Sequence, residues 1–277
     1  MKKHFTFIDL FSGIGGFHLG CSMSGGKCLM ASDINKIANQ TYYENYNIEP
    51  RGDICEIDSS DIPNFDLLCA GFPCQPFSQV GQKGGLNDIR GQLIFEIFRI
   101  LKDKQPKAFI LENVKGLQSI NGGKTFQLIV DKLKSVGYNV QTKILEAKDY
   151  GTPQLRKRLF FVGIRNDINV NFDFPKPLPL KYTFSQIMQG ITEREYSFTI
   201  RIGGRRSGIN NRYNWDCYMV NGEPRYITPE ECLMLQGFDR TFKLCGNETQ
   251  KYAQVGNSVP VTIVNAIVNE LIRLEIL

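Results

Sequence analysis

The chain has 277 residues, 42% hydrophobic and 22% charged, with a formal net charge of +5; this supports one large domain, alone or with a small companion, and excludes a strongly basic tail. Eight cysteines without a CxxC pair, and only His4 and His18, exclude zinc-finger spacing and most histidine-dependent triads, so no metal is expected. Apolar runs are strand-sized and no signal-like segment opens the chain, which predicts a cytoplasmic protein with reduced thiols and no membrane span.

Residues 5–10 read as a first strand, followed by the glycine-rich turn Phe11-Ser12-Gly13-Ile14-Gly15-Gly16 and a helix from Phe17. Residues 27–31 read as a second strand ending at Ser32-Asp33, with a helix carrying Ile37, Ala38 and Tyr42 after it. Further strands are expected near 66–70, 107–111, 140–146 and 159–164, with helices near 92–102 and 124–136. Strands alternating with helices predict an α/β fold with a doubly wound, mainly parallel sheet.

Two strand ends carry reactive groups. Cys74 follows the apolar run 65–70 and stands between Pro73 and Pro76, which keep it out of a helix interior. Glu112 closes the run 108–111. Open α/β sheets place chemistry at the carboxyl ends of their strands, so a thiol and a carboxyl group can act there on one substrate. A lone cysteine is usually a core hydrophobe and a strand-end acid usually a cap; the two together favour a site. The glycine turn is not the full GxGxxG fingerprint, which weakens a nicotinamide-dinucleotide reading. With Asp33 and Asp53 at successive strand ends, it favours a nucleoside cofactor, with a tight turn and two helix caps as the alternative for either acid alone.

The alternation breaks after Arg165. Residues 166–227 hold scattered prolines and Gly203-Gly204-Arg205-Arg206-Ser207-Gly208, and predict a small domain of short strands and loops. A last helix, roughly 259–274, is expected to return to the first sheet. The expected division is 1–170 plus 255–277 for a catalytic domain and 171–254 for a small domain.

Seven segments in order resemble the C5-cytosine DNA methyltransferases of bacterial restriction–modification systems: Asp9-Leu10-Phe11-Ser12-Gly13-Ile14-Gly15-Gly16, Gly71-Phe72-Pro73-Cys74-Gln75-Pro76-Phe77-Ser78, Glu112-Asn113-Val114, Pro153-Gln154-Leu155-Arg156-Lys157-Arg158, Thr228-Pro229-Glu230-Glu231-Cys232, Gln236-Gly237-Phe238 and Gly256-Asn257-Ser258-Val259-Pro260. The resemblance spans nearly the whole chain and implies a Rossmann-like fold that binds S-adenosylmethionine (SAM), with a small target-recognition domain. It implies that Cys74 attacks cytosine C6, that Glu112 holds N3 and the exocyclic amine, and that Arg156 and Arg158 bind O2 and phosphate. The cofactor would meet residues 11–16, Asp33, Ile34, Asp53, Ile54, Pro73, Asn257 and Ser258. Asp33 stands where many relatives have glutamate, and Ile34 where an aromatic residue is common.

A thiolate cannot reach C6 of a stacked base, so the cytosine must be flipped out of the duplex. The glycine-containing stretch 80–91 suits a loop that closes over DNA, with Ser78, Val80, Lys83 and Arg90 on the DNA side. Arg201, Arg205, Arg206 and Arg212 are expected to meet guanine edges or phosphates, although a charge cluster is often only a solvated face. Double-stranded DNA is the expected partner, with a monomeric enzyme and a companion endonuclease. A tRNA methyltransferase of the related branch, a catalytically dead DNA binder and a nicotinamide-linked oxidoreductase are weaker alternatives. Cys74, Glu112 and the arginine pair speak against the last two.

Overall fold

A computed structural model describes residues 4–73, 93–203, 206 and 208–277. Cys74, Ser78, Val80, Lys83, Arg90 and Arg205 lie outside the described residues.

Six apolar segments form the strands β1 (Phe5–Leu10), β2 (Gly26–Ser32), β3 (Leu67–Gly71), β4 (Ala108–Val114), β5 (Tyr138–Glu146) and β6 (Lys157–Arg165), in the sheet order β2-β1-β3-β4-β6-β5. The first four are parallel; β6 runs antiparallel to both its neighbours. Successive strand residues point to opposite faces, so each buried strand feeds two cores. Leu67, Cys69, Ala108 and Ile110 face one side; Leu68, Ala70, Phe109 and Leu111 face the other.

The first face is covered by α1 (Gly16–Ser22) and α8 (Val261–Arg273), the return helix that the apolar spacing predicts. Gly20 lets the two helices touch, because a Cβ there would lie 2.6 Å from a Val264 methyl group. The second face is covered by α3 (Leu93–Lys104) and α4 (Lys124–Ser135), whose apolar stripes supply Ile97, Leu101, Ile129 and Leu133. Between β2 and β3, α2 (Lys36–Tyr46) starts at Asn35, whose side chain accepts from the amides of Ile37 and Ala38.

The described residues between 166 and 216 are largely irregular apart from α5 (Phe184–Met188); the hairpin β7 (Cys217–Val220) and β8 (Glu223–Tyr226) follows. Its turn is Asn221-Gly222, both with positive φ, the chemistry that a two-residue hairpin requires. Then come α6 (Pro229–Gln236) and α7 (Glu248–Asn257), each opened by a capping box, Thr228 with Glu231 and Asn247 with Gln250. These elements pack around Trp215, Tyr218, Leu233 and Val255, and the cluster also takes in Ile14, Ala38 and Val261 from the sheet region. α7 runs across 254–255, where the two regions are expected to divide, so they share a core at that point. The stretch Glu248–Arg273 is long and apolar enough to cross a membrane, yet its apolar 18-residue window is 67% buried within the protein.

Candidate active site

A cavity of about 670 Å³ opens at the carboxyl ends of β1, β2, β3 and β4, where an open α/β sheet binds its ligands. One end is built by the turn after β1. Gly13 has φ +53°, and a Cβ there would meet nothing within 4 Å. Its amide donates to Asp33 Oδ2 at 2.8 Å, while Asp33 Oδ1 accepts from the Asn35 amide at 2.8 Å. Burial raises the Asp33 pKa, partly offset by those amide hydrogen bonds. Ser12 Oγ is buried and has no hydrogen-bond partner among the described residues. Asp53 caps a short turn through the Cys55 amide at 2.9 Å, and Gly52 before it accepts from the Ser32 hydroxyl at 2.7 Å. Apolar surface comes from Phe11, Ile34 and Ile54; Ile34 is 73% exposed, the pattern of an apolar residue without a protein partner.

Ile14 and Gly15 are not among the residues lining this cavity. Ile14 points into the third core cluster. Gly15 is compressed by Tyr46, whose ring would lie 2.3 Å from a Cβ there. Gly16 does line the cavity, and its missing Cβ admits the turn before α8: a side chain would lie 2.6 Å from Ser258 Oγ. Asn257 and Ser258 are thereby brought to the cavity wall.

The other end holds Glu112. The β3–β4 register pairs Gly71 with Glu112, and β4 continues past the acid to Val114 instead of ending before it. Pro73 lines the cavity two residues beyond Gly71, with Cys74 next in the chain. The Asn113 side-chain amide donates to the Phe72 carbonyl at 2.9 Å, tying the acid-bearing strand to the segment that leads to Cys74. Sequence reading sees Asn113 only as part of its motif. The available signal is an amide, directly after the acid, in an otherwise apolar strand.

Because β6 is antiparallel, its first residues arrive at the end of the sheet from which β4 leaves, and Arg158 pairs with Val114 in register. Arg158 Nε lies 2.9 Å from Glu112 Oε1, with both side chains largely buried. Burial raises the Glu112 pKa against the opposing pull of Arg158 and Arg156, and burial also lowers the Arg158 pKa. Arg156 is 2% exposed and spends its guanidinium on backbone carbonyls. It donates to the carbonyls of Gly256 at 2.9 Å and Ser258 at 2.8 Å, holding the turn that carries Asn257.

The remaining arginines lie on the outer rim. Arg201 is exposed and its backbone passes Gly256, where a Cβ would lie 3.3 Å from the Arg201 carbonyl carbon. Arg206 is exposed and 3.7 Å from Glu248; Arg212 lies over the Tyr213 ring, 4.5 Å from its centre. Among the described residues no group of three or more His, Cys, Asp or Glu side chains is arranged to hold a metal ion.

The site thus combines a buried carboxyl group held by a cation, a cavity with two acids in its wall, and exposed arginines outside that cavity. The model of the C-5 cytosine-specific DNA methylase family matches residues 5–203 and 185–273. Type II methyltransferase M.DsaV of Dactylococcopsis salina is 39% identical over 98% of this chain and 87% of its own length. M.NlaX of Neisseria lactamica is 38% identical, covering 96% of each, and M.HhaI of Haemophilus parahaemolyticus is 33% identical over 94% of this chain and 92% of its own length. Among solved structures, Entamoeba histolytica methyltransferase EhMeth superposes with a TM-score of 0.79 at 20% identity, covering 98% of both chains. Spodoptera frugiperda DNMT2 gives 0.76 at 23%, covering 97% of this chain and 99% of the other; both likenesses concern the fold. The family match and these relatives together place the chain in the C-5 cytosine-specific DNA methylase family.

Proposed function

We propose that this chain methylates C5 of a flipped-out cytosine within a short duplex DNA sequence, taking the methyl group from SAM. The observation that carries this reading is the placement of buried Glu112, paired with Arg158, across from the segment leading to Cys74 and in the same cavity as the glycine turn.

The cavity suits an adenosyl cofactor. Asp33 and Asp53 can accept from ribose hydroxyl and adenine amino groups, Ile34 and Ile54 offer aliphatic contact, and the open side of Gly13 and Ser12 Oγ, unpartnered among the described residues, leave room and a polar partner. When bound, SAM supplies an electrophilic methyl group. The chain's part is to make C5 nucleophilic. Cys74, as thiolate, forms a bond to C6, and the displaced ring electrons reach C5. Glu112 donates at N3 as charge builds on the ring, and Arg158 holds the carboxyl in place. Arg156 works from behind by fixing the 256–258 turn. After methylation the C5 proton leaves to water or a carboxylate, and the Cys74–C6 bond breaks to restore the base. Lys83, Arg90 and the rim arginines meet DNA.

The enzyme is read as a cytoplasmic monomer, and the type II methyltransferases among its relatives support pairing with a restriction endonuclease. Bisulfite sequencing of plasmid DNA from cells expressing the chain tests this: cytosines protected at one recurring short sequence are expected, and none in soluble expression would sink it. Gly13→Val tests the cofactor wall. A side chain at φ +53° is strained and intrudes on the cavity. Titration with S-adenosylhomocysteine is expected to show about tenfold weaker binding, or more, a loss of about 1.4 kcal/mol; unchanged affinity would move the cofactor elsewhere.

A further inference from the structure

The arginine-rich rim is anchored from beneath by two side chains that sequence reading leaves without a role. Trp215, the one tryptophan of the chain, is 1% exposed, and Asp216 is 2% exposed. The Trp215 indole N–H donates to the Gly203 carbonyl at 2.9 Å. Asp216 Oδ2 accepts from the Arg206 amide at 2.9 Å, reaching ten residues back along the chain. Arg206 has φ +57°, in the left-handed region that non-glycine residues avoid. Its backbone is held in an unfavourable conformation while its guanidinium stays in solvent.

The anchors are themselves fixed. Trp215 packs edge-on against Tyr252 of α7, 6.1 Å between ring centres, and its carbonyl accepts from the Tyr218 hydroxyl at 2.7 Å. Asn214 Oδ1 accepts from the amides of Asp216 and Cys217, and its Nδ2 donates to the Cys217 carbonyl at 2.8 Å. Asp216 Oδ1 is buried with no hydrogen-bond partner among the described residues. Burying a carboxylate is costly unless it is paired, and here Oδ2 is paired with the backbone of an arginine-bearing segment. Base-edge contacts tolerate only small displacements of the groups that make them.

We propose that Trp215 and Asp216 are positioning residues for sequence discrimination: they lock the backbone of Gly203 and Arg206 so that the rim arginines meet one DNA sequence in one register. This rests on the reading that Arg201, Arg206 and Arg212 face DNA. Methyl transfer itself does not pass through either residue.

The test is bisulfite sequencing of plasmid DNA treated with purified enzyme over a time course, comparing the preferred site with sites differing by one base pair. Asp216→Ala and Trp215→Phe each remove one anchor. The ratio of rates at preferred and mismatched sites is expected to fall about tenfold in each, the scale of one good base contact, while the rate at the preferred site stays within about threefold of wild type. Asp216→Asn keeps an acceptor for the Arg206 amide and is expected to restore most of the ratio. An unchanged ratio in both folded variants overturns the proposal, as does a loss of rate and ratio together that follows the drop in melting temperature. If Arg206→Ala and Arg212→Ala alter neither DNA affinity nor the ratio, the rim does not read DNA, and the underlying reading fails with the proposal.

Discussion

Glu112→Gln is expected to slow methylation of duplex DNA by about 10²–10⁴-fold, the range lost with a positioned general acid. Glutamine keeps the shape and can still hydrogen-bond both the exocyclic amine and N3, but its amide N–H is too weak an acid to transfer a proton to N3. The pH dependence carries the sign. Burial raises the Glu112 pKa, so its protonated form persists above the ordinary carboxylate range and is lost as pH rises through that raised value. Wild-type single-turnover rates at saturating SAM and DNA are therefore expected to fall on the alkaline side, and the variant to lack that limb. The change also leaves largely buried Arg158 facing a neutral amide in place of its anionic partner, which is expected to lower the melting temperature. Rates belong well below the variant's melting temperature. A variant within tenfold of wild type, with the alkaline limb intact, would take Glu112 out of the chemistry.

Cys74→Ser should reduce turnover to background, a loss on the order of 10⁴-fold or more, as when a covalent nucleophile is removed. A serine hydroxyl stays protonated at a pH where a thiol can ionise, so no equivalent nucleophile remains. Binding to duplex DNA should survive, because the change removes neither a phosphate contact nor a contact that reads the sequence. Duplex DNA containing 5-fluorocytosine gives a second readout, since fluorine at C5 blocks the proton loss that frees the enzyme. Wild type should form a stable protein–DNA adduct on denaturing gels and the variant none. Methylation at the wild-type rate by the variant would exclude the thiol as nucleophile.

Much of this architecture is legible in the sequence because burial writes itself as apolar runs. The runs at 5–10, 66–70 and 107–111 are filled by sheet residues covered on both faces. The end of β4 is not legible. Local pattern stops at Leu111 because Glu112 and Asn113 are polar, and only pairing with Phe160, Leu159 and Arg158 carries the strand to Val114. Ile14 shows the same limit: its place in the glycine turn suggests a cofactor contact, but Phe184 and Val261, far along the chain, help to build the core that takes its side chain. Arg156 and Arg158 look equivalent two residues apart. Their separation into a turn-holding residue and an acid-holding residue depends on carbonyls about a hundred residues away. Trp215 stands out only as the one tryptophan; its role and that of Asp216 depend on Gly203, Arg206 and Tyr252, which their local sequence does not reveal.

The reversed direction of β6 has a consequence for how this sequence can change. A parallel strand beside β4 would bring its last residues to the reacting edge, after a full pass through the sheet. Here the chain enters the sheet at that edge, so the spacing between Gln154, Arg156 and Arg158 is set before the strand is laid down. β4 and β6 therefore act as two rulers read from the same zero mark. Added or lost residues beyond Arg165, at the far edge, leave both scales aligned. One residue added between Ala108 and Glu112, or between Arg158 and Ile164, turns a side chain to the opposite face of the sheet and parts the acid from its cation. Length variation in this chain is thus confined to one side of the sheet by the direction of a single strand.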